Sequence, residues 1–244
     1  MRLLMKIIII EWRKLKRSGI MYIVWGAPIL IILMQYVNFR VRYHILIPSG
    51  ESPWWTYIQE VGSFWGALVL PIIATIIAAI ICGIEHSTKV WKYMVSLPIK
   101  RESFYIGKLL TTFILLMISS FILVCGLLIS GFMLGFSESI PIQKIWRLFI
   151  YPLLGIVALT TIQIWISTRF DSSAIPIGIG VIGVVVSLFV AQSDVTFWFP
   201  WAYPFMTAPI GNSYEPYFYS GLSVFVGLLI TFIGAWEFSK RDIS

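Results

Sequence analysis

The feature that most constrains this chain is a set of six long runs that contain no charged residue. Each run has between 21 and 29 residues. A helix needs about 20 apolar residues to cross a hydrocarbon core of about 30 Å. The runs lie between Arg17 and Arg40, Glu60 and Glu85, Lys108 and Glu138, Arg147 and Arg169, Asp171 and Asp194, and Glu215 and Glu237. The sequence therefore predicts an all-α, polytopic membrane protein with six transmembrane helices.

The composition supports this class of protein. Only 12% of the residues are charged and 59% are hydrophobic, whereas about 25% of the residues are charged in an average soluble domain. These values exclude an ordinary soluble globular protein and a disordered chain. We expect one membrane domain over 1–244, because no loop is long enough to hold a folded soluble domain. The predicted spans cover about 18–38, 62–84, 106–133, 147–167, 173–191 and 217–236.

Basic residues are distributed unequally between the two sides that six spans would create. Of 18 lysines and arginines, 14 lie in the N-terminal segment, the second and fourth loops and the C-terminal tail, and four lie on the other side. Because cytoplasmic loops are enriched in lysine and arginine, both termini are predicted to be cytoplasmic. The net charge of +7 is therefore explained by membrane topology, and no nucleic-acid partner is expected.

The sequence lacks motifs for catalysis or cofactor binding. The stretch Gly178–Gly183 matches GxGxxG, but it lies inside the fifth predicted span, where small residues let helices pack closely. Gly62 and Gly66, at GxxxG spacing in the second span, favour the same interpretation. There is no nucleotide-binding P-loop, no HExxH motif and no ionisable residue near the middle of a span. We therefore expect no catalytic, metal-binding or cofactor-binding residues, and the sequence predicts that the chain is not an enzyme.

Three polar residues lie together in the fourth predicted span: Thr160, Thr161 and Gln163. Side chains of these types inside a membrane form hydrogen bonds between helices. Alternatively, they line a path for a substrate. The sequence leaves both interpretations open.

Two segments outside the spans have compositions that are typical of a membrane interface. Residues 1–17 interleave six basic residues with apolar ones, as an interfacial helix does, although a basic flank of the first span has the same composition. Residues 195–214, called the aromatic segment below, contain Trp198, Trp201 and Tyr203 and are interrupted by three prolines. Such a segment fits the interface or a re-entrant excursion. We expect it at the outer surface between the fifth and sixth spans.

The second loop, residues 85–105, has the spacing of a short amphipathic helix. Apolar residues recur at Val90, Tyr93, Met94 and Leu97, and Pro98 follows them. The apolar side of such a helix needs a partner. This partner is either the inner leaflet of the membrane or a soluble cytoplasmic subunit.

This loop resembles one in the type-2 ABC export permeases. In that family a glutamate ends the second span, a threonine follows, and a Leu-Pro-x-x-Arg turn precedes a lysine that opens the third span. The matching residues are Glu85, Thr88, Leu97, Pro98, Arg101 and Lys108. Within the family, residues 11–18, 91–98 and 199–204 look most like the permeases of lantibiotic-immunity and bacitracin-resistance transporters.

The resemblance implies a permease subunit with an interfacial N-terminal helix, a coupling helix after the second span and short re-entrant helices before the sixth. Two such subunits, identical or paired with a sister permease, would associate with two cytoplasmic P-loop subunits that bind ATP and Mg. Coupling to these ATP-binding subunits would use Glu85, Thr88, Trp91, Leu97, Pro98 and Arg101. The implied location is a bacterial plasma membrane. The implied cargo is a membrane-active peptide antibiotic, removed for self-protection or resistance.

Two other functions stay open. A stand-alone immunity or sensor protein would bind a toxic peptide at the aromatic segment without any ATP-binding partner. A membrane enzyme is the third alternative, but no motif in the sequence supports it.

Overall fold

The structure, a computed structural model, describes residues 10–15, 18–47, 52–88, 101–193, 196–209 and 216–240. For residues 85–88 and 101 it describes the backbone only. Most of the predicted coupling loop, residues 89–100, and residues 1–9 of the N-terminal segment therefore lie outside the described residues. All regular secondary structure within the described ranges is helical. The predicted all-α membrane architecture is confirmed.

The helices follow one another with short connections. In chain order they are α1 (Ile20–Leu46), α2 (Pro53–Phe64), a π-helical turn (Trp65–Val69), α3 (Leu70–Thr88), α4 (Arg101–Met133), α5 (Ile142–Gly155), α6 (Val157–Ser167), α7 (Ala174–Val190), two 3-10 turns (Thr196–Trp198 and Pro200–Ala202), α8 (Tyr203–Thr207) and α9 (Pro216–Lys240). Residues 10–15 are also helical.

Five stretches of the described chain are helical, apolar and long enough to cross a membrane. They are Ile20–Leu46, Pro53–Ile84, Glu102–Met133, Ile142–Ser167 and Pro216–Lys240. The fifth predicted span corresponds to α7, an apolar helix of 17 residues. Each of the six predicted spans thus has a helical counterpart, as a multi-pass membrane protein requires.

The second membrane helix begins earlier than the charge-free run indicated. The helix starts at Pro53, directly after Ser52, whereas the predicted span starts at 62. Proline is favoured at this first helical position because its missing N–H would have no partner there. Glu60 lies within α2, so the uncharged run began inside the helix rather than at its end. A carboxylate in the first turns of a membrane helix stays close to the interface and does not end the span.

Helix α3 lies at the centre of the bundle. It packs against α4, α6 and α7, and Leu70, Ala74 and Ile77 are fully buried. Helix α1 packs against α4, where the Ser119 hydroxyl donates a hydrogen bond to the carbonyl oxygen of Val24 at 2.8 Å. Because lipid tails are as apolar as leucine, close packing and hydrogen bonds of this kind hold membrane helices together.

Two irregular stretches interrupt the long helices. The π-helical turn Trp65–Val69 separates α2 from α3, and such turns are frequent at functional sites. Ile156 separates α5 from α6. Its backbone N–H still donates a hydrogen bond to the carbonyl oxygen of Pro152 at 2.9 Å. Gly66 within the π-helical turn contacts Ala208 of the aromatic segment, and Gly155, directly before Ile156, contacts Thr207.

Candidate functional site

A buried lysine joins three parts of the chain at the end of the bundle where α3 ends and α4 begins, called the loop end below. Lys108 of α4 is 1% exposed, and its Nζ donates a hydrogen bond to the carbonyl oxygen of Ile81 in α3 at 3.1 Å. The same Nζ lies 3.8 Å from Oε2 of Glu11, which is 3% exposed. Nζ of Lys14 donates a hydrogen bond to Oε1 of Glu11 at 3.1 Å. Glu11, Lys108 and the Ile81 carbonyl are called the charge clamp below.

Burial determines how strongly the charge clamp holds its parts together. Moving a charge out of water costs several kcal/mol unless an opposite charge and hydrogen bonds compensate it. In the charge clamp, the ammonium group of Lys108 has both a carboxylate and a carbonyl oxygen as partners. Separating segment 10–15 from α4 would therefore move the charges of Glu11 and Lys108 apart, so that neither would compensate the other. The clamp fixes the N-terminal segment against α3 and α4.

The charge clamp lies close to the predicted coupling residues. Glu85 and Thr88 belong to the last turn of α3, and Arg101 is the first residue of α4. Their side chains, and the whole of Trp91, Leu97 and Pro98, lie outside the described residues. Ile81 lies seven residues before the end of α3, and Lys108 lies seven residues after the start of α4. The clamp thus fixes both helices about two turns, or roughly 10 Å, from the loop.

A second polar cluster joins other helices at the loop end. Oε2 of Glu237 in α9 accepts a hydrogen bond from Arg169 at 2.6 Å and one from Nε1 of Trp165 in α6 at 3.0 Å. The Ser173 hydroxyl, next to α7, donates to the carbonyl oxygen of Ala79 in α3 at 3.2 Å. Hydrogen bonds at the loop end therefore join α6 to α9, and α3 to the start of α7.

The aromatic segment has one exposed part and one buried part. Trp198 is 76% exposed, whereas Tyr203 is 2% exposed. The Tyr203 hydroxyl donates a hydrogen bond to the carbonyl oxygen of Phe197 at 2.6 Å. Of the predicted aromatic residues, Trp198 lies on the surface, while Trp201 and Tyr203 pack against the helices.

Glycines in three membrane stretches provide the surface on which the aromatic segment packs. A Cβ atom added at Gly66 would lie 2.6 Å from Cβ of Ala208 and 3.1 Å from the carbonyl oxygen of Pro204. Added Cβ atoms at three other glycines would also be too close to this segment: Gly62 to Pro209, Gly155 to Thr207 and Gly183 to Trp201. Only residues without a side chain allow this close approach.

These glycines place the aromatic segment deep among the helices. Gly66 is 13 residues from Pro53, the start of its apolar stretch. At 1.5 Å per residue, this corresponds to about 20 Å of helix. Residues 204–208 therefore reach well inside the bundle, as a re-entrant segment would, and the location of this segment on the outer side of the membrane stays a prediction. The three prolines explain the short helices, since each proline removes a backbone donor and restricts the preceding residue.

The polar residues of the fourth span are buried in α6. Nε2 of Gln163 donates a hydrogen bond to the carbonyl oxygen of Pro176 in α7 at 2.6 Å. The Thr161 hydroxyl donates to the carbonyl oxygen of Ala158 at 2.8 Å. Within the described chain, Oγ1 of Thr160 and Oε1 of Gln163 have no hydrogen-bond partner. Gln163 thus links two helices, and a role of these residues in a substrate path stays a prediction.

The comparison with protein families decides the identity of this bundle. Residues 7–187 match the family model described as ABC-2 family transporter protein. The chain belongs to this family. The match covers α1 to α6 and nearly all of α7. No curated protein and no solved structure gives a significant match.

Membership of the ABC-2 family gives the chain a general role. It is the membrane permease component of an ABC transporter, and permeases of this family work with an ATP-binding subunit and are not catalytic themselves. The match includes Glu11, Lys108 and the whole predicted coupling loop. The aromatic segment and α9 follow the matched residues.

Sequence reasoning missed two features of this permease. Lys108 was recognised as part of a family pattern, but its pairing with Glu11 was not predicted. An ionisable residue inside the predicted span 106–133 was the available signal, because such residues are kept where they have a partner. The second feature is Ser223 in α9, for which the sequence gave no distinguishing signal.

Ser223 repairs the break between α5 and α6. Its hydroxyl accepts a hydrogen bond from the backbone N–H of Ala158 at 3.1 Å and donates one to the carbonyl oxygen of Gly155 at 2.7 Å. We expect Ser223→Ala to lower the free energy of unfolding by about 1–3 kcal/mol, because it leaves buried backbone groups without partners. The unfolding midpoint of the purified permease measures this.

A matched control lies one turn away. The Ser220 hydroxyl is also buried in α9 but has no hydrogen-bond partner in the described part of the chain. Ser220→Ala should therefore leave the midpoint unchanged or raise it slightly. Equal losses in the two variants would mean that the hydrogen bonds of Ser223 contribute nothing specific.

Proposed function

We propose that this permease is the membrane subunit of an ABC exporter and that its ATP-binding partner docks on residues 85–101 at the loop end. The charge clamp is the observation that carries the proposal. It fixes segment 10–15, α3 and α4 to one another beside the loop, through groups that are 3% exposed or less. A force applied to the loop would therefore move these three parts together.

The proposed transmission runs along one continuous stretch of helix. Helix α3 leads from the loop through the π-helical turn Trp65–Val69 into α2. That turn contains Gly66, which contacts Pro204 and Ala208 of the aromatic segment. A shift of α3 after ATP-driven closure of the partner subunits would change this contact inside the bundle. Such a change would alternate the side on which the permease is open.

For the orientation and cargo we propose that both termini are cytoplasmic in a bacterial plasma membrane and that the cargo is a membrane-active peptide antibiotic. The distribution of basic residues supports this orientation. The exposed aromatic side chains of Phe197 and Trp198, 42% and 76% exposed, support an apolar cargo that arrives from the membrane. Two permeases, identical or sisters, would enclose the path with two ATP-binding subunits.

The first experiment identifies the partner. The tagged permease is purified gently from its native membrane, and proteins that remain bound are identified by mass spectrometry. We expect a stoichiometric soluble subunit with a P-loop, and any sister permease should be recovered with it. Recovery of the chain alone in several detergents with nucleotide added, together with peptide resistance that survives deletion of candidate ATPases, would favour the stand-alone immunity or sensor protein instead.

A second experiment tests the loop itself. Glu85→Gln and Leu97→Ala should each lower ATP-dependent transport by about tenfold or more, because coupling needs a docked loop. Glu60→Gln is the matched control, since Glu60 is a carboxylate near the other end of the same apolar stretch, Pro53–Ile84. Transport and ATP hydrolysis are measured in vesicles that contain the purified complex. Full transport by both loop variants would contradict the proposed docking site.

A further inference from the structure

One face of α9 is a continuous exposed apolar stripe. This helix is the least buried of the five long membrane stretches. Its exposed apolar side chains recur at intervals of three and four residues, which places them on the same face. They are Phe225, Leu228, Leu229, Phe232, Ile233 and Trp236. The next position on this face is Lys240, at the loop end.

The stripe ends at an open cavity that contains charged groups. The cavity has a volume of about 440 Å³ and is lined by Arg169, Trp236, Glu237 and Lys240. Nζ of Lys240 lies 4.0 Å from the centre of the Trp236 ring. Arg169 stacks on Trp165, with Cζ 4.2 Å from the ring centre, and donates to Glu237 at 2.6 Å. Two cations and one carboxylate thus line the cavity, so its lining has a net positive charge.

We propose that this cavity binds the headgroup of an anionic phospholipid whose acyl chains lie along the α9 stripe. The ammonium group of Lys240 and the guanidinium group of Arg169 suit a phosphate group, because both can donate charge-assisted hydrogen bonds to it. The carboxylate of Glu237 can accept a hydrogen bond from a headgroup hydroxyl. Basic pockets at the ends of membrane helices bind lipid headgroups in this way. The lipid then contacts α9 and the connection between α6 and α7 together.

The geometry distinguishes this site from an ordinary belt of interfacial residues. Lys144 also lies over a tryptophan, with Nζ 3.8 Å from the Trp55 ring centre. Trp55, however, belongs to α2 at the other end of the bundle, and neither Lys144 nor Trp55 lines the cavity at the end of the α9 stripe. A general affinity of lysine and tryptophan for the interface would act equally at both places. A lipid site would act at Lys240 alone, which makes Lys144→Ala a matched control.

The test measures lipid selectivity by native mass spectrometry. The purified permease with its bound partners is equilibrated with equal amounts of phosphatidylglycerol and phosphatidylcholine that carry the same acyl chains. We expect the natural sequence to retain phosphatidylglycerol at least fivefold in excess. Lys240→Ala should lower this ratio about fivefold, the factor expected for one lysine near an anionic lipid. Lys144→Ala should change it less than twofold.

A further variant tests the direction of the electrostatic effect. Glu237→Gln keeps an acceptor for Trp165 but removes a negative charge that faces the phosphate, so it should raise the ratio of phosphatidylglycerol to phosphatidylcholine. A purely structural role of this cluster would give no increase. An unchanged ratio in Lys240→Ala, or an equal loss in Lys144→Ala, would overturn the proposal.

Two other occupants of this face are distinguished in the same preparation. Displacement of the lipid by an equal concentration of free glycerol phosphate would show a site for soluble phosphates and overturn the lipid assignment. Efficient disulfide cross-linking of Phe232→Cys between two copies would show that a second permease covers the stripe, and would overturn it as well. We expect neither result.

Discussion

Replacement of Lys108 by alanine should lower the free energy of unfolding of the permease by about 3–5 kcal/mol, because it leaves the carboxylate of Glu11 buried without its partner in α4. Glu11 is 3% exposed, so water cannot replace the lost ammonium group without local opening. The Ile81 carbonyl oxygen loses a hydrogen bond in the same variant. For a chain of this size, the unfolding midpoint should fall by about 10 °C.

The second lysine on the same carboxylate provides the control. Nζ of Lys14 lies 3.1 Å from Oε1 of Glu11, but its side chain is 26% exposed. Such partly exposed pairs at a spacing of three residues contribute at most about 1 kcal/mol. Lys14→Ala should therefore lower the midpoint far less than Lys108→Ala. If both variants lose the same stability, burial of the charge clamp is not what stabilises it.

A double variant separates the charge from the packing. Because Glu11→Gln removes the buried negative charge, Glu11→Gln combined with Lys108→Ala should be more stable than Lys108→Ala alone. We expect the unfolding midpoint of the double variant to recover about half of the decrease seen in Lys108→Ala. Strictly additive losses would show that Glu11 and Lys108 do not interact, and would remove the main support for rigid coupling at the loop end.

The all-helical, multi-pass architecture could be predicted from the sequence because one physical requirement produces a recognisable pattern. A membrane helix needs about 20 residues without charge, and that pattern is local along the chain. The same reasoning misplaced the start of the second membrane helix. This helix begins at Pro53, but the half-buried carboxylate of Glu60 lies within it and made the predicted span too short. Charge-free runs mark the middle of a membrane helix better than its end.

The contacts of the site could not be predicted, because they join residues far apart in the sequence. Glu11 and Lys108 meet across nearly a hundred residues. Glu11 is the single acidic residue before the first predicted span, but nothing near it in the sequence indicates which lysine it contacts. The position of the aromatic segment has the same explanation. Its composition fits a surface segment and an inserted segment equally well. Its depth in the bundle depends on glycines in three different membrane stretches, which allow it to pack closely.

The glycine motifs show which aspects of helix packing a local sequence pattern can predict. The GxGxxG stretch lies inside α7, as the packing interpretation requires. Gly178 has open space beside it, whereas Gly180 and Gly183 lie against Thr75 and Trp201. The spacing alone could not indicate which glycines pack closely or what they pack against. In the second span, Gly62 and Gly66 contact the aromatic segment, a partner that the GxxxG motif does not specify.

Replacement of Gly66 by leucine should displace the aromatic segment from the bundle. The new Cβ would lie 2.6 Å from Cβ of Ala208, and backbone atoms on both sides leave no flexible group to move away. Overpacking of this kind costs about 1–3 kcal/mol. Since 1.4 kcal/mol corresponds to a factor of ten in an equilibrium, amide hydrogens of residues 203–208 should exchange about ten times faster or more in deuterated buffer.

Gly221 in α9 provides the matched control, because a Cβ atom at this glycine would meet nothing within 4 Å. Gly221→Leu should leave exchange in residues 203–208 unchanged, and it gains helix propensity. In Gly66→Leu, amide exchange in α4 should also stay unchanged, since α4 does not contain any of the glycines that contact the aromatic segment. If residues 203–208 exchange at the original rate in Gly66→Leu, the contact between the π-helical turn and the aromatic segment can yield without cost, and it cannot transmit movement from the loop end.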